Sequence, residues 1–243
     1  MNSVNYVQLI NIDPQKHRRI AVVGGGGKTS LIFRLADELK ATGRKVIVTT
    51  TTHMAYDRTR SYAEAGDWEK LKYNLENYGY TVTAVLEKEK GKIASPSGKI
   101  LNQLKENCDT LLIEADGAKC LPLKVPENWE PVIPSWTDLV IGVLGLDSLE
   151  KKIADTAHRP DKVAAFLGKN VSDQVVPEDL VKIASSVNGL RKDAENRDYR
   201  VYLNKADVLE KPEVAETICR KLKEREIFAV YGSIKHETKR TVR

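Results

Sequence analysis

One stretch, RRIAVVGGGGKTSLIFRLADELKATGRKVIVTTTTHM from Arg18 to Met54, constrains the fold of this chain more than any other. An apolar, strand-like run ends in four consecutive glycines, and Lys28, Thr29 and Ser30 then open an amphipathic helix. A strand, a glycine turn and a Lys-Thr helix start form the geometry for gripping phosphates. The backbone N–H groups of Gly24, Gly25, Gly26 and Gly27 point inward, and the helix N-terminus is positive. Lys28 adds charge, and the Thr29 hydroxyl is placed to ligate Mg2+. The usual spacing, G-x-x-x-x-G-K-[ST], calls for glycine at position 22, which is Val22 here. The fit is instead to a tighter loop in which Gly24 and Gly27 frame two residues before Lys28, similar to that of amino-acid ligases of the cell-wall type. A plain packing turn is the bland alternative, and the Lys-Thr pair in this context weighs against it.

Apolar runs alternate with helical patterns along the rest of the chain, the signature of a parallel sheet with helices on both faces. Strands are expected at RIAVV, KVIVTT, YTVTAVLE, DTLLIE, DLVIGVL, YRVYLN and EIFAVY. Helices are expected at 28–41, 67–77, 98–107, 177–187 and 212–224, with Pro177 and Pro212 sitting where a first turn accepts proline. The segment 117–137, with four prolines, reads as an ordered surface loop. The expected architecture is α/β, a P-loop NTPase-like three-layer fold with a mostly parallel sheet. The whole chain, 1–243, reads as a single nucleotide-binding domain with a small helical insertion at about 146–196.

Composition excludes several function classes. The net charge is +5, from 39 basic and 34 acidic residues that are interspersed, so nucleic-acid binding is not implied. The basic tail KHETKRTVR from Lys235 reads as a solvated terminus. No signal-peptide pattern opens the chain, and the run LVIGVLGL from Leu139 is too short to span a bilayer. Three cysteines, Cys108, Cys120 and Cys219, lack metal-ligand spacing. A cytoplasmic protein with reduced thiols is expected, without a membrane partner.

Three further motifs fall at strand ends, the edge where such sheets bind ligands. VTTTTHM places Thr49, Thr50, Thr51 and Thr52 after a strand, with Thr51 and Thr52 as candidates for the γ-phosphate. His53 either orients a water or is structural. LLIEADGAK carries Glu114 and Asp116 before Gly117, an E-x-x-G where GTP-binding switches have D-x-x-G; either carboxylate suits Mg2+, with Asp116 the first choice. VYLNKAD contains N-K-x-D, the guanine-reading element of GTP-binding proteins. Asp207 would accept two hydrogen bonds from the base, Asn204 and Lys205 would support the pocket, and Ser233 in YGSIK would close over it. Cys120 is either a thiol nucleophile or idle, and Arg159 in HRPDK either clamps substrate or is a solvated helix start.

The combination VVGGGGKTSL, VTTTTHM, IEADGAKCLPLKVP, EPVIP, HRP and LNKAD resembles the YqeC family, bacterial proteins regarded as accessory factors of selenium-dependent molybdenum hydroxylases. The resemblance runs from about Val7 to Val230. It implies a cytosolic maturation role, with a molybdenum hydroxylase or its cofactor-maturation proteins as partners; composition and spacing show no selenium. The residues support a protein that binds a nucleoside triphosphate, GTP ahead of ATP, with Mg2+ and hydrolyses it slowly. Lys28, Glu114 and Asp116 form the catalytic set, with Thr29 and Asp116 on the metal. Alternatives are an ATP-dependent ligase or kinase, its acceptor held by Lys124 in the proline-rich loop, and a non-catalytic nucleotide-sensing or cofactor-carrying module.

Overall fold

The computed structural model describes residues 4–234; the basic tail from Lys235 lies outside the described residues. In chain order the strands are β1 (Arg19–Gly24), β2 (Val46–Thr50), β3 (His53–Ala55), β4 (Tyr62–Glu64), β5 (Tyr80–Glu87) and β6 (Lys92–Ala94). They continue with β7 (Thr110–Glu114), β8 (Leu123–Lys124), β9 (Leu139–Gly145), β10 (Ala157–His158), β11 (Asp198–Asn204) and β12 (Phe228–Tyr231). The helices are α1 (Tyr6–Leu9), α2 (Lys28–Ala41), α3 (Trp68–Tyr78) and α4 (Gly98–Glu106), then α5 (Ile153–Thr156), α6 (Pro160–Leu167), α7 (Pro177–Ser185) and α8 (Glu213–Lys223).

The main sheet runs β12-β11-β9-β1-β7-β2-β5-β6-β3, with β4 added beside β5. Every pairing from β12 to β5 is parallel, and only the short β6 and β3 edge is antiparallel. The central strand β1 is buried throughout, so its run reads as continuously apolar rather than alternating. Its side chains still alternate between faces. Ile20 and Val22 join Leu31, Leu35 and Leu39 of α2 in one apolar cluster, while Ala21 and Val23 face the other, with Leu104 of α4 and Ile218 of α8. Helices therefore cover both faces, giving three layers. Local signals set the helix ends: Asp67 accepts from the Lys70 amide to cap α3, and Gly79 ends it in the left-handed region.

Between β9 and β11, in the expected helical insertion, lie α5, α6 and α7. Their Ile153, Val163 and Leu180 belong to the same apolar cluster as Val140 and Leu203 of the sheet.

The proline-rich segment corrects the surface-loop expectation. Pro122, Leu123, Lys124, Val125 and Pro126 are buried, and β8 pairs in parallel with β10. Two demands draw this backbone inward. The first is for acceptors: the Gly26 amide finds the Leu121 carbonyl at 3.0 Å, and the Gly145 amide finds the Pro122 carbonyl at 3.1 Å. The second is for a cation beside buried carboxylates, which Lys124 supplies, as described below. No described helix is long and apolar enough to cross a membrane.

Candidate functional site

The glycine turn is walled in so closely that side chains cannot enter. A Cβ on Gly26 would lie 2.4 Å from the Gly145 amide nitrogen, and one on Gly27 would lie 2.3 Å from Asn204 Nδ2. Gly27 also sits at φ 126°, a conformation that only glycine adopts readily. The adjacent strand ends thus mould the turn, and Asn204 reaches across to donate to the Gly26 carbonyl at 2.7 Å.

The expectation that all four glycine amides face a phosphate needs correction. Gly24 N–H donates to the Asp116 carboxylate at 2.9 and 3.1 Å, Gly25 N–H to the Val143 carbonyl at 2.9 Å and Gly26 N–H to the Leu121 carbonyl. Those bonds hold the turn's own shape, because a buried amide must find an acceptor. The donors turned to the cleft are Gly27 and the first turn of α2, at Lys28, Thr29 and Ser30, whose amides have no acceptor within the helix. Gly24 and Gly25 therefore build the turn rather than line the cleft.

Asp116 also departs from expectation. It is 1% exposed and absent from the cleft wall, caught between Lys28 Nζ at 3.1 Å and Lys124 Nζ at 3.2 Å, with the Gly24 amide on its other lone pairs. In this arrangement its oxygens meet two lysines and an amide and are not turned to the cleft. Lys124, fully buried, goes on to Glu130 at 2.9 Å and the Gly117 carbonyl at 2.7 Å, so it is not an acceptor clamp either. Arg159 Nη1 meets Glu130 at 2.8 Å. A ladder of alternating charge thus runs from Lys28 through Asp116, Lys124 and Glu130 to Arg159.

Glu114, not Asp116, is the carboxylate turned to the cleft. It ends β7, lines the cleft and accepts from the Thr29 hydroxyl at 2.7 Å. Burial raises its carboxyl above the usual range, with the Lys28 charge and the Thr29 hydrogen bond opposing. A hydroxyl beside a carboxylate is a hard-oxygen pair suited to Mg2+, whose remaining positions are commonly filled by phosphate and water. Among the described residues no cluster of three or more His, Cys, Asp or Glu is placed to hold a metal alone.

The threonines after β2 divide. Thr49 donates to the Thr83 carbonyl, Thr50 to the Glu114 carbonyl and Thr51 to the Val132 carbonyl at 2.7 Å, so Thr51 faces the proline-rich segment and not the cleft. Only Thr52 among the four lines it. His53 sits at the rim, 57% exposed at its side chain and 3.6 Å from Glu87.

The N-K-x-D residues begin beside the glycine turn, at Asn204, and run along the cleft from there. Lys205, in the left-handed region, donates to Asp147 at 2.6 Å. Asp207 lines the cleft; its amide donates to Ser233 Oγ at 2.9 Å, and the Ser233 hydroxyl donates to the Asp207 carboxylate. One cleft of about 760 Å³ is lined by Asn204, Lys205 and Asp207 together with Lys28, Thr29, Ser30 and Glu114. Sequence reasoning missed Asp147, whose only signal is its place just past the end of β9. It also gave no role to Glu130 and His158, although both fall in motifs quoted for the family resemblance, EPVIP and HRP.

A parallel sheet with a strand, glycine turn and helix at its centre defines a P-loop-like α/β protein. The model of the YqeC protein family matches residues 20–161, and the chain belongs to that family. It is 29% identical, over an alignment of 238 residues, to the Escherichia coli (strain K12) protein described as uncharacterized protein YqeC, covering 92% of this chain and 90% of that one. Among solved structures, the apo form of a GTPase from Pyrococcus abyssi aligns at 12% identity and a TM-score of 0.35, covering 90% of this chain and 91% of that one. A likeness that low bears on neither ligand nor chemistry.

Proposed function

We propose that this chain binds a guanine nucleoside triphosphate with Mg2+ and cleaves its terminal phosphoryl group, in the service of maturing a selenium-dependent molybdenum hydroxylase. The observation that carries the nucleotide reading is the one cleft whose wall includes the α2 N-terminus, Lys28 and the Thr29–Glu114 pair together with Asp207, which Ser233 holds from behind. The amides of Gly27, Lys28, Thr29 and Ser30 would receive phosphate oxygens, and Lys28 would exchange the Gly24 carbonyl, now at 2.6 Å, for phosphate. Thr29 and Glu114 would hold Mg2+, which neutralises charge on the β- and γ-oxygens. Thr52, which lines the cleft, would orient the terminal group. The maturation role rests on the family resemblance. Loss of this protein is expected to lower hydroxylase activity per unit of immunodetected enzyme, and unchanged specific activity would remove that role.

Lys28→Ala tests the phosphate assignment. Asp116 keeps Lys124 and the Gly24 amide, so the turn retains its anchor. Triphosphate affinity is expected to fall by about 1.5–3 kcal/mol, the loss of a charge-assisted contact, with guanosine affinity nearly unchanged. Equal losses for both ligands in a calorimetric titration would take the phosphate away from this loop. Glu114→Gln is expected to raise the Mg2+ concentration needed for half-maximal binding, whereas Asp116, already committed to two lysines, has no part in that dependence. An unaltered Mg2+ requirement in Glu114→Gln would move the metal elsewhere.

A further inference from the structure

The cleft does not stop at the Thr29–Glu114 corner. It continues past Gly117 into an arm lined by Lys119, Cys120, Glu130, His158 and Arg159. His158 is only 8% exposed, yet its imidazole makes no hydrogen bond among the described residues. Its ring nitrogens are not among the fully enclosed polar atoms without a partner, so they keep access to the cleft that His158 lines. Its direction follows from register. β10 pairs in parallel with β8, and His158 stands opposite Lys124. Residues in register on paired strands project from the same face, and Lys124 on that face reaches Gly117 and Glu130. The imidazole therefore faces the arm, one strand away from the lysine that contacts Asp116.

The charges around it are unequal. Arg159 is committed to Glu130 at 2.8 Å and Glu127 at 3.5 Å, and Lys124 to Asp116 and Glu130. Lys119 is exposed, in the left-handed region at φ 46°, and has no ion pair among the described residues, so it is the cation left over. Burial lowers the His158 pKa, and Arg159, Lys124 and Lys119 push the same way against Glu130, leaving a neutral ring near pH 7.

We propose that this arm binds a small hydroxyl-bearing anion as phosphoryl acceptor, with Lys119 attracting its anionic group and His158 taking the proton of its hydroxyl. This rests on the Mg2+-nucleoside triphosphate reading above. In the step, a bond forms between the acceptor oxygen and the γ-phosphorus, and the bond from that phosphorus to the β,γ-bridging oxygen breaks. The electron pair leaves with the nucleoside diphosphate, and the hydroxyl proton passes to the imidazole and from there to solvent. A carboxylate acceptor has no proton to give and would leave His158 without a task; the hydroxyl is what a neutral imidazole suits.

The test uses the full chain with saturating Mg2+-GTP and two probes, glycerate and malate. Glycerol supplies a hydroxyl without charge as one control, and succinate supplies charge without a hydroxyl as the other. Phosphorus NMR reads the product, and iodoacetamide alkylation of Cys120, the exposed thiol of the three, reads occupancy independently of turnover. At least one probe is expected to be phosphorylated and to slow alkylation, with neither control phosphorylated. His158→Gln is expected to lower transfer by roughly a hundredfold or more, and to abolish the fall in rate as pH drops below the usual histidine range. Retained affinity for the β,γ-imido nucleotide shows that the variant is folded. Binding of Mg2+-GTP without phosphorylation of either probe, or wild-type transfer by His158→Gln, would overturn the proposal. Failure of Mg2+-GTP to bind would overturn the nucleotide reading beneath it instead.

Discussion

Exchange of Asp207 for Asn is expected to move base preference from guanine to xanthine. The carboxylate is fixed from both sides: its own amide donates to Ser233 Oγ at 2.9 Å, and the buried Ser233 hydroxyl donates back to it. Ser233 is itself anchored through its carbonyl, which accepts from Tyr6 at 2.9 Å. Guanine offers a ring N–H and an exocyclic amine to such a carboxylate, and adenine offers no matching pair. Asp207 is exposed in the free chain, so a carboxylate left unpaired by adenine can turn to water, and the discrimination is expected to fall short of the roughly ten-thousandfold of a fully enclosed acceptor. Xanthine carries an oxygen where guanine carries the amine, and the side-chain amide introduced by Asp207→Asn would donate to it. The two side chains are the same size, so the fold is kept. In a competition titration the wild type is expected to rank GTP above ATP and XTP, and Asp207→Asn to rank XTP first. A wild type that prefers ATP, or a variant with the ranking unchanged, would defeat the guanine reading and favour the ATP-dependent ligase or kinase suggested by the short loop.

The second large effect is on stability. Lys124 is fully buried and bridges Asp116, Glu130 and the Gly117 carbonyl. Lys124→Met keeps most of the side-chain length but removes the charge between two buried carboxylates. Breaking a buried pair from one side costs about 3–5 kcal/mol, which for a chain of this size lowers Tm by roughly 10 °C. The pH dependence has a definite sign. Burial alone would raise the Glu130 pKa, but the Lys124 hydrogen bond and charge, with Arg159, overcome it and hold the carboxyl at about 2, against 4.5 for the free group. A depressed carboxyl contributes stability above its unfolded pKa and loses it as pH falls towards the folded one. The gap in Tm between wild type and variant should therefore narrow as pH drops from about 4.5 to about 2. Equal melting at neutral pH would show that the charge ladder contributes nothing to the fold.

Where chemistry is local, the sequence could be read. β5 and α2 have the bounds expected of them, because apolar spacing and the glycines at 27, 43 and 79 mark their ends. The parallel sheet and the helices on both its faces follow from the alternation of patterns. What escaped was long-range. The two-residue strands β8 and β10 carry no period, so the proline-rich segment looked like surface. Glu114 and Asp116 are two apart at a strand end, and nothing in their spacing tells which meets Thr29 and which is enclosed by two lysines. The glycine amides raised the same difficulty: that three of them are consumed by Asp116, Val143 and Leu121 depends on what packs against the turn. Thr51 and Thr52 are adjacent in a run of one residue type, and only the neighbouring Val132 carbonyl separates their roles.

The central claim is that the turn before α2 receives the phosphates of a nucleotide whose base lies at Asp207. Calorimetric titration of the wild-type chain with Mg2+-GTP, with GTP after chelation of Mg2+, and with guanosine measures it directly. The account predicts one triphosphate bound per chain, with affinity greatest for Mg2+-GTP, lower after chelation and lowest for guanosine. Guanosine binding as tightly as Mg2+-GTP, or no binding of the triphosphate, would contradict it.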